Sequence, residues 1–144
     1  MQKIILKTFF LKKILLKKGY KCKSEILLQN SIKLVQKSYF KNHVDLFKSS
    51  LVNIMPVVFI KRLKKKQKYI TEFPFVLNRV KRLSIAMMFM YSSSKQNSEE
   101  KFRVKFAKEL IVNAKGHNND IVDKNLIHEQ AFSLKKYANY RWFL

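Results

Sequence analysis

The two prolines of the chain, Pro56 and Pro74, bracket the stretch PVVFIKRLKKKQKYITEFP and set the first limit on what it can fold into. Proline breaks a helix and cannot donate within a strand ladder, so secondary structure has to change at each of them. Inside each proline lies a β-branched and aromatic run, Val57–Ile60 and Tyr69–Phe73. Between the runs stands a cationic knot: Lys61, Arg62, Lys64, Lys65, Lys66 and Lys68. The knot has no glycine, which disfavours a two-residue primed turn. We expect a long, loosely closed β-hairpin with a proline at the base of each strand.

Helical periodicity fills the rest. Leu28, Ile32, Val35 and Tyr39 follow one helix face. Asn42 is placed to cap the next helix, with Asp45 three residues on and the stripe Val44, Phe47, Leu51 and Ile54, ended by Pro56. After the hairpin, Asn78 precedes the stripe Val80, Leu83, Met87 and Met90, and SSSKQNS at 92–98 reads as a linker. A helix opening at Ser98 carries Phe102, Phe106 and Leu110, with Lys101, Lys105, Lys108 and Lys115 along one side. The turn GHNND (116–120) separates it from a last helix bearing Ile127, Ala131, Leu134 and Ala138. The acid-free residues 1–23 hold apolar clusters at Ile4–Leu6, Phe9–Leu11 and Ile14–Leu16, which fit a helix buried from several sides better than an amphipathic presequence. The expectation is a mainly α, single domain over 1–144. It is a six-helix bundle with a β-arm, about 57–77, protruding between the third and fourth helices.

The formal charge of +22 is where composition enters. Such self-repulsion destabilises an isolated compact state and calls for a polyanion, either nucleic acid or an anionic membrane surface. No apolar run approaches the roughly 20 residues needed to span a bilayer. A hydrophobic content of 47% rules against wholesale disorder.

No enzyme chemistry emerges. His43, His117 and His128 share no ligand spacing with one another or with Cys22, the single cysteine. Two glycines cannot build a phosphate loop. His128 reads as a hydrogen-bonded structural histidine. We expect no enzyme, cofactor, metal or small-molecule substrate.

The closing KKYANYRW resembles the AFAHYRW-type ending of the small-subunit ribosomal protein seven family. Earlier segments agree in order and spacing. Leu51–Pro56 is similar to the family's ALENVRP, and Pro74–Leu77 to its P-V-E-V. Arg79–Arg82 followed by Ile85–Met87 is similar to its P-x-R-R and L-A-x run, and Phe106–Leu110 to its LA-x-EL. His128 and Ala131 match its last-helix His and Ala, and Lys18–Lys21 its D-G-K-K. The arm-tip glycines of the family stand here as Lys66 and Gln67.

The resemblance implies a helical bundle with a protruding β-arm. It implies a structural constituent of the small subunit that binds the 3′ major domain of small-subunit rRNA and organises head assembly, with the arm near the E site and mRNA exit. The partners implied are that rRNA, other small-subunit head and platform proteins, mRNA and the E-site tRNA. The expected RNA-binding residues are Lys21, Lys23, Lys61, Arg62, Lys64, Lys65, Lys66, Lys68, Arg79, Lys81, Arg82, Tyr140, Arg141 and Trp142. Few glycines and alanines and many Lys, Ile, Asn and Phe suggest an AT-rich coding genome, which with the divergence fits a mitochondrial ribosome, with a plastid-like organelle second. The alternative is a basic membrane-surface protein or another nucleic-acid-binding protein.

Overall fold

A computed structural model describes residues 19–38, 42–64, 70–96 and 101–139. The described elements are helix α1 (Lys21–Ser38), α2 (His43–Ile54), strands β1 (Val58–Lys64) and β2 (Ile70–Val76), then α3 (Arg79–Gln96), α4 (Phe102–Lys115) and α5 (Asn119–Ser133). A 3-10 turn, Lys135–Tyr137, follows. The expected helix at 4–16 lies outside the described residues, so five of the six expected helices are seen, with the hairpin between α2 and α3.

Local signals end these helices as their chemistry predicts. The Asn42 side chain accepts from Val44 N–H at 3.2 Å. Pro56 stops α2 at Ile54 and is itself fully buried. Gly116 ends α4 in the left-handed region at φ 83, which a residue with a Cβ adopts at a cost. Asn118 then caps α5 by accepting from Asn119 N–H at 2.7 Å.

The core joins four helices: Leu28 and Val35 from α1, Leu46, Leu51 and Ile54 from α2, Ala86, Met87 and Met90 from α3, and Phe106, Ala107 and Leu110 from α4. Some stripes are rotated from expectation. Leu46 is buried while Val44 is only half-buried, and Val80 is 52% exposed. Leu83 and Leu134 are half-buried rather than central.

Serines complete the buried faces. Ser24, Ser31, Ser50 and Ser94 are buried, and each hydroxyl donates to a carbonyl of its own helix three or four residues back. That bond removes the cost of burying a hydroxyl and leaves a small contact for the neighbouring helix.

Two expected boundaries move. The first three serines of SSSKQNS belong to the helix α3, not to a linker. Ser92 and Ser94 bond back to Met88 O and Met90 O, and the Ser93 hydroxyl donates to Asp120 of α5. The last helix ends at Ser133, so Ala138 falls beyond it.

Asp120 anchors a polar network between helices. It is 1% exposed and also accepts from Asn113 Nδ2 at 2.9 Å. Asn118 Nδ2 donates to Asn113 Oδ1 and to Glu109. Asn53 Nδ2 reaches the carbonyls of Asn113 and Ala114, and Lys124 Nζ caps the end of α2 through Asn53 O at 2.6 Å. Orphan carbonyls at two helix ends are thereby paired.

Burial pushes the Glu109 carboxyl above its ordinary 4.5, and the nearby Asp120 adds to this, while the bond from Asn118 opposes it. A carboxyl raised in the folded state contributes stability at low pH that is lost as pH rises from 4.5 through the folded value. Glu109→Gln, which keeps the acceptor, should therefore gain stability relative to the parent as pH rises from 4 to 7. Denaturation in moderate salt measures this, and a gain in the opposite direction would refute it.

Candidate nucleic-acid interface

The arm is a two-stranded antiparallel ribbon whose register pairs Val58 with Val76, Phe59 with Phe75, Ile60 with Pro74, Lys61 with Phe73 and Arg62 with Glu72. Pro74 was expected at the base of the arm but lies two residues inside β2. In a two-stranded ribbon both strands are edges, so a missing N–H is tolerated where it faces outward. β1 also runs further than expected, taking Lys61, Arg62 and Lys64 out of the loop and into the strand.

The arm is fastened at its base to α5. Val57 N–H donates to His128 Nε2 at 3.1 Å, which fulfils the structural role expected of that histidine and requires its Nε2 to be unprotonated. Phe73 meets Tyr137 edge-on at 6.0 Å. The ladder continues one step below the strands, with Leu77 N–H donating to Val57 O at 3.0 Å.

The expected RNA-binding residues fall into three groups. Lys61 (half-buried), Arg62 and Lys81 (both exposed) come together around a cleft of about 560 Å³ with Phe59, Phe75 and Asn78. Lys81 Nζ stands 6.0 Å from the Phe75 ring centre. Arg79 is exposed at the start of α3, next to Asn78 in the chain.

Two arginines already hold protein partners. Arg62 Nε donates to Glu72 Oε1 at 2.7 Å, across the register, with 74% of its side chain exposed. Arg82 Nε donates to Leu77 O at 2.8 Å and so ties the end of the arm to α3. Each guanidinium keeps further N–H groups for an outside acceptor.

Lys21 and Lys23 form a separate exposed station at the start of α1, which packs mainly on α4 rather than on the arm. Lys23 Nζ lies 4.5 Å over the Tyr20 ring. Lys65, Lys66, Lys68, Tyr140, Arg141 and Trp142 lie outside the described residues, and for Lys64 the description extends to its place in β1.

The lysine side of α4 is not a uniform solvated face, because Lys105 is buried at 9% exposure while Lys101, Lys108 and Lys115 are exposed. Two cations escaped the sequence reading. Lys135 sits 4.8 Å over the Phe132 ring and Lys136 5.0 Å over that of Tyr137. The signal was there in KKY beside an apolar helix face, but only the turn at Lys135–Tyr137 sets them over rings.

Among the described residues no group of three or more His, Cys, Asp or Glu side chains is placed to hold a metal ion, and no helix is long and apolar enough to cross a membrane. The observed chemistry is cationic and aromatic, suited to phosphates and to the faces of bases.

Comparison with known sequences points the same way. The sequence model of the ribosomal protein S7p/S5e family matches residues 2–135. Small ribosomal subunit protein uS7 of Phytoplasma australiense is 27% identical over 130 residues, covering 90% of this chain and 82% of the relative. The protein of the same name from Syntrophus aciditrophicus is 27% identical, covering 89% and 81%. That of Desulfitobacterium hafniense is 27% identical, covering 94% and 85%. The family match stops short of Tyr140, Arg141 and Trp142.

Proposed function

The chain belongs to the ribosomal protein S7p/S5e family, whose members are structural ribosomal proteins rather than enzymes, and on that premise we propose that it is a constituent of the small ribosomal subunit that binds the 3′ major domain of small-subunit rRNA. The family match over residues 2–135 carries this reading. The charge of +22 and the concentration of cations on the arm support it. Phosphate contacts from Lys61, Lys64, Lys65, Lys66, Lys68, Arg79 and Lys81 supply affinity and register without reading sequence. Lys21 and Lys23 supply a second phosphate station, and Arg62 and Arg82 offer their remaining N–H groups. Tyr140, Arg141 and Trp142 extend the contact at the C-terminal end.

On this reading the whole of 1–144 acts as one domain. It helps to organise the head among neighbouring head and platform proteins, with the arm reaching toward the E site, its tRNA and the mRNA exit. The three relatives compared above are bacterial, and the divergence and the residue usage of an AT-rich coding genome support a mitochondrial ribosome, or that of a plastid-like organelle, as the site of work.

Two measurements test the proposal. Fractionation of purified organelles should place the chain with the small subunit, and recombinant chain should prefer a transcript of the 3′ major domain over an equally long transcript from another rRNA domain. Sedimentation with membrane or nucleoid, or equal binding to both transcripts, overturns it.

A further inference from the structure

The cleft beside the arm is more than a patch of charge. Phe59 and Phe75 are direct partners in the ladder, so both project from the same face of the ribbon. Their rings meet edge-on, centres 6.4 Å apart and planes at 81°. Both are half-buried, so ring surface remains open. The arm packs against α5 and the 3-10 turn, and the opening between these two rings and Lys61, Arg62, Asn78 and Lys81 persists as a cleft of about 560 Å³.

An apolar aromatic floor under a cationic rim is mismatched to water, to a bare phosphate and to an apolar peptide. It complements a ligand that joins a flat π-surface to an anion. Both rings line the cleft, and an aromatic wall of this kind is a surface on which a base stacks, with Lys81 Nζ beside the Phe75 ring to meet its phosphate. Asn78, exposed at the start of α3, offers both an amide donor and an acceptor to a base edge.

We propose that this cleft receives one unstacked nucleotide of the rRNA, with its base against Phe59 and Phe75 and its phosphate between Lys61 and Lys81. The assignment rests on the rRNA-binding reading above and adds to it a defined pocket for a single base. Arg62 reaches the rim of the cleft from the other face of the ribbon, with its Nε held by Glu72 and its remaining N–H groups available to a phosphate.

The test uses the full chain and the 3′ major domain transcript. F59L/F75L keeps the floor apolar and removes the ring faces. It should weaken binding by about 5- to 150-fold, the range for loss of one base stack, and leave the slope of log affinity against log salt unchanged because no cation is lost. Phe75→Tyr keeps a stacking face and should bind like the parent, which separates stacking from hairpin damage. K81Q should instead lower the slope by about 0.7–0.9.

Chemical probing of the RNA should show a single base protected by the parent and by Phe75→Tyr but open with F59L/F75L. Parent-like affinity and protection in F59L/F75L would overturn the pocket while leaving rRNA binding standing. Equal loss in F59L/F75L and Phe75→Tyr would also overturn it, since the rings would then be supporting the hairpin alone. Failure of the parent to bind the transcript removes both readings.

Discussion

Replacing Lys61, Lys64, Lys65 and Lys66 by glutamine should cut the salt slope of rRNA binding by about 2–3 units while the bundle stays folded. Each phosphate contact releases counterions worth about 0.7–0.9 in that slope, and four lysines set the ceiling. Lys61 is half-buried beside Phe73, Lys64 closes β1, and Lys65 and Lys66 stand in the knot between the strands. Among the described residues the core lies in α1 to α4, away from the arm. Arg62 is spared because its loss would release the Glu72 carboxylate and confound the count. Preference among rRNA sequence mutants should change little, because phosphate contacts carry no base information. Filter binding across a salt series gives the slope. An unchanged slope with intact assembly would mean that the arm meets a protein neighbour or solvent.

The second large effect is on stability. Phe106→Ala should cost about 3–5 kcal/mol, the range for emptying a fully buried phenylalanine site. Phe106 is 0% exposed, in a core that also holds Met87, Met90 and Leu110, and its ring stacks on Phe102 at 5.9 Å. Domains of this size hold about 5–15 kcal/mol in all, and this chain also bears the self-repulsion of +22 charges. The variant is therefore expected to be largely unfolded at low ionic strength and partly rescued by salt, which screens the repulsion. Circular dichroism at low and moderate salt reads this. A cooperative transition near that of the parent at low salt would refute it.

These two effects separate two uses of one composition. The 31 basic residues make the free chain costly to compact, and the apolar 47% makes compaction possible. A polyanion that neutralises the arm and the start of α3 would relieve both the general repulsion and the placement of Arg79, Lys81 and Arg82 at the positive end of a helix dipole. If that polyanion is the proposed rRNA, folding and binding would be coupled by electrostatics, most strongly at the arm.

What sequence alone determined were features written within a few residues. Asn42 caps because its own side chain reaches the next turn, Gly116 turns because it lacks a Cβ, and Pro56 stops α2 because of its ring. The arm was legible from two prolines and two β-branched runs, and its charge from simple counting. Tertiary structure decided whatever depends on a partner far along the chain. Pro74 sits inside β2 because the ribbon has no third strand, and the serines at 92–94 stay helical with Ser93 held by Asp120, 27 residues away. Arg62 and Arg82 read as free cations until register and packing set Glu72 and the Leu77 carbonyl beside them. Phe59 and Phe75 become one site only through the pairing register of the two strands. A cap or a turn is a property of local backbone geometry, whereas a cleft is a property of which distant backbones are brought side by side.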